Sequence, residues 1–444
     1  MLMGFDKDFL WGAASAAYQI EGAYDEDGKG MGIWDALSDG YVRHNENGNI
    51  ACDHYHRYKE DIALMKQMCL KSYRFSVSWP RIMPEEGKIN EKGIQFYKNL
   101  VSELLKAGIK PMCTLFHWNL PMWVYEKGGW LCDEISDYFA EYVKVVTEAL
   151  SDNVSVWMTL NEIPTFIGLG YLTGVHAPFE KSPQDTQKAE ERLCRLTKNV
   201  LLAHGKAVRV LRKCAKTVPQ IGIAMNGQLV TPGNETDEAI EKARNATFPA
   251  TVNCGAVNWW LDPIIPGTVN PVMENYLDGE EKKIIGQKLD FIGYNCYFSE
   301  SYDEWSGKSE AVYQGRPRTT MDWPITPDAL YWAVRFLYGR YQLPVLITEN
   351  GMANVDFEMS DGRVHDQQRI EYIKGYLKGL KRAAEEGFPI IGYQYWSVMD
   401  NFEWADGYDK RFGLIYVDYR TQKRIFKDSA LWYAGVIREN GANL

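Results

Sequence analysis

Two glutamates stand where apolar stretches of the sequence end, and their setting suggests chemistry. Glu162 closes the stretch "WMTLNE" and Glu349 closes "VLITE", and each has an asparagine beside it. A lone carboxylate at the end of a buried strand is costly to desolvate, so we expect it to have a charged or hydrogen-bonding partner or a catalytic role. Two carboxyl groups about 5–5.5 Å apart can divide the roles of nucleophile and proton donor in retaining cleavage of a glycosidic bond.

Either glutamate alone has a purely structural explanation, because it could pair with an arginine or cap a helix. That explanation is weaker for two glutamates that each follow an apolar strand and each adjoin an asparagine. The pair therefore predicts a site only if the fold brings both strand ends to the same place.

Short apolar runs alternate with longer segments that have helical spacing, which is the pattern of β/α units. Eight such runs predict a closed parallel barrel, although two of them, 9–15 and 220–229, fit a strand or a helix by periodicity alone. The runs are 9–15, 71–79, 109–118, 154–162, 220–229, 289–299, 343–351 and 389–401.

Several of these runs begin plainly and end in polar or aromatic residues. The polar ends are 74–78, 117–118, 161–162, 295–297, 349–350 and 400–403. In a β/α barrel the loops after the strands converge over the axis, and active sites lie at that carboxyl-terminal rim. The pattern predicts that both glutamates lie on this rim.

Composition restricts the classes of partner. The 444 residues are 45% hydrophobic and carry a net charge of −10, without a basic stripe, which argues against nucleic acid and anionic membranes as partners. The N-terminus does not read as a signal peptide and no stretch is long enough to span a membrane. Eight scattered cysteines fit reduced thiols. We expect one cytoplasmic domain over 1–444, and a homo-oligomer is left open.

An ordered set of sequence blocks resembles glycoside hydrolase family 1, the β-glucosidase and β-galactosidase family. The blocks are "FLWGAASAAYQIEGA", "SYRFSVSWPRIMP", "TLFHWNLP", "TLNEI", "GYLTGVHAPF", "LITENG" and "MDNFEWADGYDKRFGLIYVD". The resemblance implies an α/β fold, a single (β/α)8 TIM barrel with long βα loops. It also implies a retaining exo-β-glycosidase, foremost a β-glucosidase, that uses no cofactor and acts on small β-glycosides or oligosaccharides.

The resemblance also implies roles for individual residues. Glu349 matches the nucleophile and Glu162 the general acid/base, while Arg74 and Tyr297 match contacts that should keep Glu349 ionised. Asn295 and Tyr297 keep the family's Asn-x-Tyr pair. The matching substrate-binding positions are Gln19, His117, Trp118, Asn161, Trp396, Glu403 and Trp404, with Trp323 on the aglycone side.

Other functions were weighed against this interpretation. Relatives that act on 6-phosphorylated sugars typically replace Glu403 with serine, and a carboxylate there would repel a phosphate. A transglycosylase would share the same covalent intermediate, and the sequence does not separate it from a hydrolase. Loss of either glutamate would have favoured a non-catalytic sugar-binding protein, but both are present. The His54-x-His56 pair could suggest zinc, but it opens a helical pattern. We therefore expect surface histidines and no metal.

Overall fold

Eight parallel strands form a closed barrel in the computed structural model, which describes residues 5–306 and 315–444. Each strand pairs with its sequence neighbours, and β1 pairs with β8 to close the barrel. The predicted β/α barrel is therefore confirmed. The strands are β1 Leu10–Ala14, β2 Ser72–Ser76, β3 Lys110–Phe116, β4 Val156–Asn161, β5 Gln220–Met225, β6 Ile292–Asn295, β7 Val345–Asn350 and β8 Ile390–Trp396.

Both ambiguous runs are barrel strands. β1 lies between β2 and β8, with Gly12 opposite Ser72 on one side and Trp11 opposite Tyr393 on the other. β5 lies between β4 and β6. Their apolar periodicity did not distinguish strand from helix, because a strand buried on both faces has no polar side to mark the period of two.

Helices cover the outside of the barrel. Among the described residues, those of seven or more residues are α1 His54–Gln67, α2 Glu91–Lys106, α3 Ile135–Leu150, α4 Thr186–Cys214, α5 Asp237–Thr247, α6 Val257–Ile264, α7 Gly279–Ile285, α8 Ala329–Tyr341, α9 Gln367–Glu385 and α10 Asp428–Arg438. None of the helices in 5–306 and 315–444 is apolar over enough residues to cross a membrane.

Helix α2 illustrates how local sequence sets these elements. The Asn90 side chain accepts a hydrogen bond from the Lys92 backbone N–H, which satisfies a donor at the start of the helix. Apolar residues at spacings of three or four are buried: Ile94, Tyr97, Val101 and Leu104. Gly108 then takes a positive φ of 77° that ends the helix. Removing the Leu104 side chain should cost about 2–5 kcal/mol of stability.

A small apolar cluster is separate from the main shell between strands and helices. It comprises Met112, Val156, Met158, Ala224, Phe291 and Leu346, all fully or almost fully buried. Because these residues come from the strands or their starts and do not join the outer core, we place them inside the barrel. They fill the axis, so the polar residues at the strand ends have a packed floor.

The prediction that both histidines of the His54-x-His56 pair lie on a helix surface is wrong for His54. Helix α1 begins at His54 as expected, but His54 is buried with Nδ1 2.7 Å from Asp61 Oδ2. Arg424, from a distant part of the chain, donates to the other oxygen of Asp61 at 2.9 Å. This paired carboxylate makes burial of His54 affordable, whereas His56 is exposed.

Candidate active site

The carboxyl ends of three strands bring the two glutamates to one part of the rim. Glu162 directly follows β4, and Glu349 is the fifth residue of β7. Asn295, the last residue of β6, is in register with Glu349, and its Nδ2 donates to Glu162 Oε1 at 2.7 Å. Asn295 Nδ2 also donates to Asn161 Oδ1 at 3.0 Å, and Asn161 accepts from Arg74, which contacts Glu349. The two carboxyl groups are therefore connected through a chain of hydrogen bonds.

Glu162 is held in a strained and buried position. Its φ of 47° lies in the left-handed region, where a side chain other than glycine costs about 1–3 kcal/mol. Thr165 Oγ1 donates to Glu162 Oε2 at 2.8 Å. Burial, followed by the nearby charge of Glu349, raises the pKa of Glu162 to about 7, and the hydrogen bonds from Asn295 and Thr165 oppose that rise.

Glu349 is in contact with a cation, whereas no lysine or arginine of the described residues contacts Glu162. Arg74 donates to Glu349 Oε1 at 2.5 Å and Tyr297 donates to Oε2 at 2.5 Å, so both predicted contacts are present. Burial nevertheless raises the pKa of Glu349 above its usual value, and Arg74 and Tyr297 only oppose it. Because Arg74 contacts Glu349 directly, Glu349 is the one of the pair that is more readily ionised. When the pair holds one proton, that proton is therefore on Glu162.

Asn161 joins the nucleophile side of the site to His117. Its Oδ1 accepts from Arg74 at 2.7 Å and from Asn295 at 3.0 Å. Its Nδ2 lies 3.1 Å from His117 Nε2, and because an amide nitrogen can only donate, His117 Nε2 is the acceptor. Burial lowers the pKa of His117 well below its usual value. The neutral ring then carries its hydrogen on Nδ1, which is buried without a partner among the described residues.

Gln19 and Glu403 form a second polar corner. Gln19 Nε2 donates to the Phe402 carbonyl at 2.7 Å and to Asn401 Oδ1 at 3.0 Å, and lies 3.4 Å from Glu403 Oε2. Gln19 Oε1 has no partner among the described residues. Burial, Glu349 and Asp406 raise the pKa of Glu403 well above its usual value. Buried polar atoms without a partner, such as Gln19 Oε1, suit a ligand that is rich in hydroxyl groups.

The rim pocket is a cavity of about 380 Å³ at this end of the barrel, large enough for a small sugar derivative. Nine of the predicted site residues line it: His117, Trp118, Glu162, Tyr297, Trp323, Glu349, Trp396, Glu403 and Trp404. The other predicted residues, Gln19, Arg74, Asn161 and Asn295, are buried and hydrogen-bond the lining residues or their neighbours.

Aromatic rings form much of the pocket wall. Trp396 stacks on His117 with ring centroids 5.8 Å apart, and Trp118 lies 4.7 Å from Trp404. Trp118 and Trp404 both have positive φ angles, of 73° and 51°. Trp323 packs 5.1 Å from Tyr297. Flat apolar faces beside hydrogen-bonding groups can bind the apolar face and the hydroxyls of a pyranose together.

The sequence prediction did not include ten of the residues that line the pocket, among them three with polar groups beside the predicted residues. Thr165 and Asn226 line the pocket and hydrogen-bond each other at 2.7 Å, and His176 packs 5.5 Å from Trp118. Burial lowers the pKa of His176 to about 3, so this ring is neutral. The sequence could have indicated these three, since Thr165 is three residues after Glu162 and His176 lies in the block "GYLTGVHAPF". Asn226 follows the apolar residues of the run 220–229, which is the same strand-end position as that of Glu162.

Metal ligation finds no support in the described ranges. Within 5–306 and 315–444, no group of three or more His, Cys, Asp or Glu side chains is arranged to hold a metal ion. The carboxyl groups of the rim pocket instead contact Arg74, Tyr297, Thr165, Asn295 and Gln19.

Known proteins resemble this chain over its length. The sequence pattern of Glycosyl hydrolase family 1 matches residues 2–442. Beta-glucosidase A of Thermotoga maritima is 42% identical, covering 98% of each chain, and that of Acetivibrio thermocellus is 43% identical, covering 98% of this chain and 99% of the relative. The solved beta-glucosidase from Thermotoga maritima in complex with glucoimidazole superposes with a TM-score of 0.88 at 42% identity, covering 99% of this chain and 100% of that one. The chain belongs to glycosyl hydrolase family 1.

Proposed function

We propose that the protein is a retaining exo-β-glucosidase that removes terminal non-reducing β-D-glucosyl residues from small glycosides and oligosaccharides. The observation that carries this proposal is the unequal setting of two carboxyl groups that line the same pocket. Glu349 contacts Arg74, whereas no lysine or arginine of the described residues contacts Glu162, and the pKa of Glu162 is raised to about 7. The names of the relatives, beta-glucosidases, support glucose as the sugar.

The first step forms a glycosyl-enzyme. A carboxylate oxygen of Glu349 attacks the anomeric carbon while Glu162 gives its proton to the departing glycosidic oxygen, so the bond to the aglycone breaks and the aglycone leaves as an alcohol. In the second step Glu162, now a carboxylate, takes a proton from water as the water oxygen attacks the anomeric carbon. Glu349 is released with its charge restored and the anomeric configuration is retained.

The change in charge on Glu349 makes the two roles of Glu162 compatible. In the free enzyme burial and, after it, the charge of Glu349 raise the pKa of Glu162, so that Glu162 holds its proton. Esterification of Glu349 removes that charge, so the pKa of Glu162 falls and it can serve as the base.

Sugar recognition is assigned to the remaining polar and aromatic groups. Asn161 would hold the 2-hydroxyl, and Trp396 would lie under the ring. Gln19, His117, Glu403 and Trp404 would hold the other hydroxyls, with Trp118 supporting Trp404 and Trp323 beside the aglycone. The unpartnered Gln19 Oε1 and His117 Nδ1 support this assignment, because a hydroxyl can donate to the first and accept from the second. Glu403 supports neutral sugars over 6-phosphorylated ones.

The test of the mechanism uses nitrophenyl β-glycosides of glucose, galactose, fucose, mannose and 6-phosphoglucose. Glu349→Gly should be inactive and should form the inverted glycosyl azide from azide and an activated glucosyl donor. Glu162→Ala should slow substrates with poor leaving groups by about 10²–10⁴-fold. Selective cleavage of the 6-phosphoglucoside would overturn the neutral-sugar proposal, and absence of the inverted azide product would remove Glu349 from its role.

The wider setting of the enzyme is also proposed. All eight cysteines are free, which supports a reducing compartment such as the cytoplasm. We propose that 1–444 acts as one catalytic domain, because α10 follows the last barrel strand and packs against α9. The charge of −10 argues against a nucleic-acid partner.

A further inference from the structure

We propose that Thr165 and Asn226 are positioning residues that fix the carboxyl group of Glu162 and stabilise its ionised form. The inference rests on the proposed function, in which Glu162 is the acid and then the base. It concerns two residues to which the family resemblance assigned no role.

The hydrogen bonds run in one direction. Asn226, which follows β5, donates from Nδ2 to Thr165 Oγ1 at 2.7 Å, and Thr165 Oγ1 lies 2.8 Å from Glu162 Oε2. A hydroxyl group has a single hydrogen. Because the Asn226 amide occupies a lone pair of the Thr165 oxygen, that hydrogen is directed toward Glu162. The backbone fixes the same geometry, since Thr165 N–H donates to the Glu162 carbonyl at 2.9 Å.

The ionised Glu162 therefore has a donor on each oxygen. Asn295 serves Oε1 and Thr165 serves Oε2. Asn295 also contacts Asn161 and Thr348, so its removal would disturb much of the site. Thr165 and Asn226 have no hydrogen bond to Glu349 or Arg74 among the described contacts, which makes their effect on Glu162 separable.

Other ionisable groups around Glu162 remain in place when Thr165 is changed. They are Arg74 from β2, Tyr294 and Tyr297 from β6 and its loop, Glu349 from β7, and Glu403 after β8. His117 after β3, His176 and Asp406 also line the pocket. A change in the titration of Glu162 in Thr165 variants would then report the lost hydroxyl.

Loss of this donor should raise the pKa of Glu162 in both steps. The change widens the active pH range of the first step and narrows that of the second. Glu162 should keep its proton to higher pH in the free enzyme, so the alkaline limb of kcat/KM for 4-nitrophenyl β-D-glucoside moves up. In the glycosyl-enzyme the base should ionise only at higher pH, so the acid limb of kcat moves up for 2,4-dinitrophenyl β-D-glucoside, which is limited by the second step. We expect shifts of about one pH unit, as for one hydrogen bond to a charged group.

The experiment compares Thr165→Val, which keeps the shape, with Thr165→Ser, which keeps the hydroxyl and should restore the parent limbs. Thr173→Val is the matched control, because Thr173 is exposed and its hydroxyl bonds only the Gly168 carbonyl in the described chain. Thr165→Ala replaces the valine variant if thermal unfolding shows that the latter is not folded. A merely structural role would lower kcat without moving either limb.

Asn226→Ala tests whether Asn226 acts through Thr165. It should shift the limbs in the parent and have no further effect in the Thr165→Val background. Unmoved limbs in both folded Thr165 variants, or equal shifts by Asn226→Ala in both backgrounds, would overturn the inference. Absence of turnover by the parent would instead contradict the proposed function, so the two failures are distinguishable.

Discussion

Two buried groups of charges in this molecule are balanced in opposite ways. Among the described residues the rim pocket is lined by four carboxyl groups, those of Glu162, Glu349, Glu403 and Asp406, and the guanidinium of Arg74 contacts one of them, Glu349. The second group, which we call the ion cluster, has three cations and three carboxylates from the loops after β7 and β8, from α9 and its start, and from the residue before α10. Its members are Arg369, Arg411, Lys427, Asp356, Asp366 and Asp400.

The balance of charge decides the direction of the pKa shifts. In the ion cluster Lys427 Nζ lies 2.6 Å from both Asp356 and Asp400. Burial would raise the pKa of Asp356, but Lys427 and Arg369 outweigh it and lower the pKa. In the rim pocket burial prevails and raises the pKa of all three glutamates. The ion cluster is therefore suited to hold loops, and the pocket to hold protons.

Replacement of the nucleophile should have the largest effect. Glu349→Gln keeps the shape but removes the attacking carboxylate, so kcat/KM should fall on the order of 10⁴-fold or more, about 5 kcal/mol in the barrier. The variant should also lose stability, because the buried guanidinium of Arg74 is left without its carboxylate. Steady-state kinetics and thermal unfolding of the same preparation test both statements. Residual activity above a hundredth of the parent would contradict the assigned role.

Breaking the ion cluster should have the reverse pattern. Lys427→Met leaves Asp356 and Asp400 buried without their shared ammonium, which should cost about 3–5 kcal/mol in the free energy of unfolding. Activity per folded molecule should change little, because Lys427 does not line the rim pocket. Urea unfolding followed by kinetics at low urea measures the two separately. A loss of activity larger than the loss of folded protein would show that the comparison fails.

The sequence predicted those parts of the molecule that depend on local pattern. The alternation of apolar runs with helical segments predicted eight strands, although periodicity alone left two of them ambiguous. Polar residues at the strand ends predicted that Glu162, Asn295 and Glu349 meet at one rim. Alternation along a strand decides which side chains share a face, and the closed barrel then brings the strand ends together. Family resemblance added Gln19, in the short helix Ala17–Ile20 after β1, and Glu403, directly before the short helix Trp404–Asp406.

Contacts made by loop paths were beyond the sequence. His54 was predicted on the surface, yet it is buried against Asp61, and Arg424 from a distant part of the chain hydrogen-bonds the same carboxylate. Lys427 and Asp356 form their ion pair across 71 positions. No period in the sequence encodes such pairings, because they depend on where long connections return to the barrel.

Glu162→Gln should sharpen the comparison through stability. Burial raises the pKa of Glu162 from 4.5 to about 7, above its unfolded value. Its favourable contribution to stability is therefore present at low pH and is lost as the pH rises through about 7. At pH 8 the ionised side chain costs the folded state about 3 kcal/mol. The variant should be more stable than the parent at pH 8 by up to that amount.

The gain from Glu162→Gln should shrink toward pH 5, where the folded parent holds a proton on Glu162. Urea unfolding of parent and variant at both pH values measures this difference. An equal difference at both pH values would show that packing, rather than ionisation of Glu162, sets the stability change.

An exposed pair close to the ion cluster should have the smallest effect. Lys423 Nζ lies 2.7 Å from Glu358, but the two side chains are 54% and 36% exposed. Water already solvates both ions, so Lys423→Met should change the free energy of unfolding by less than about 1 kcal/mol. A double-mutant cycle with Glu358→Gln, in low and high salt, measures the coupling. A coupling as large as that of Lys427 with Asp356 would mean that burial is not what distinguishes the two lysines.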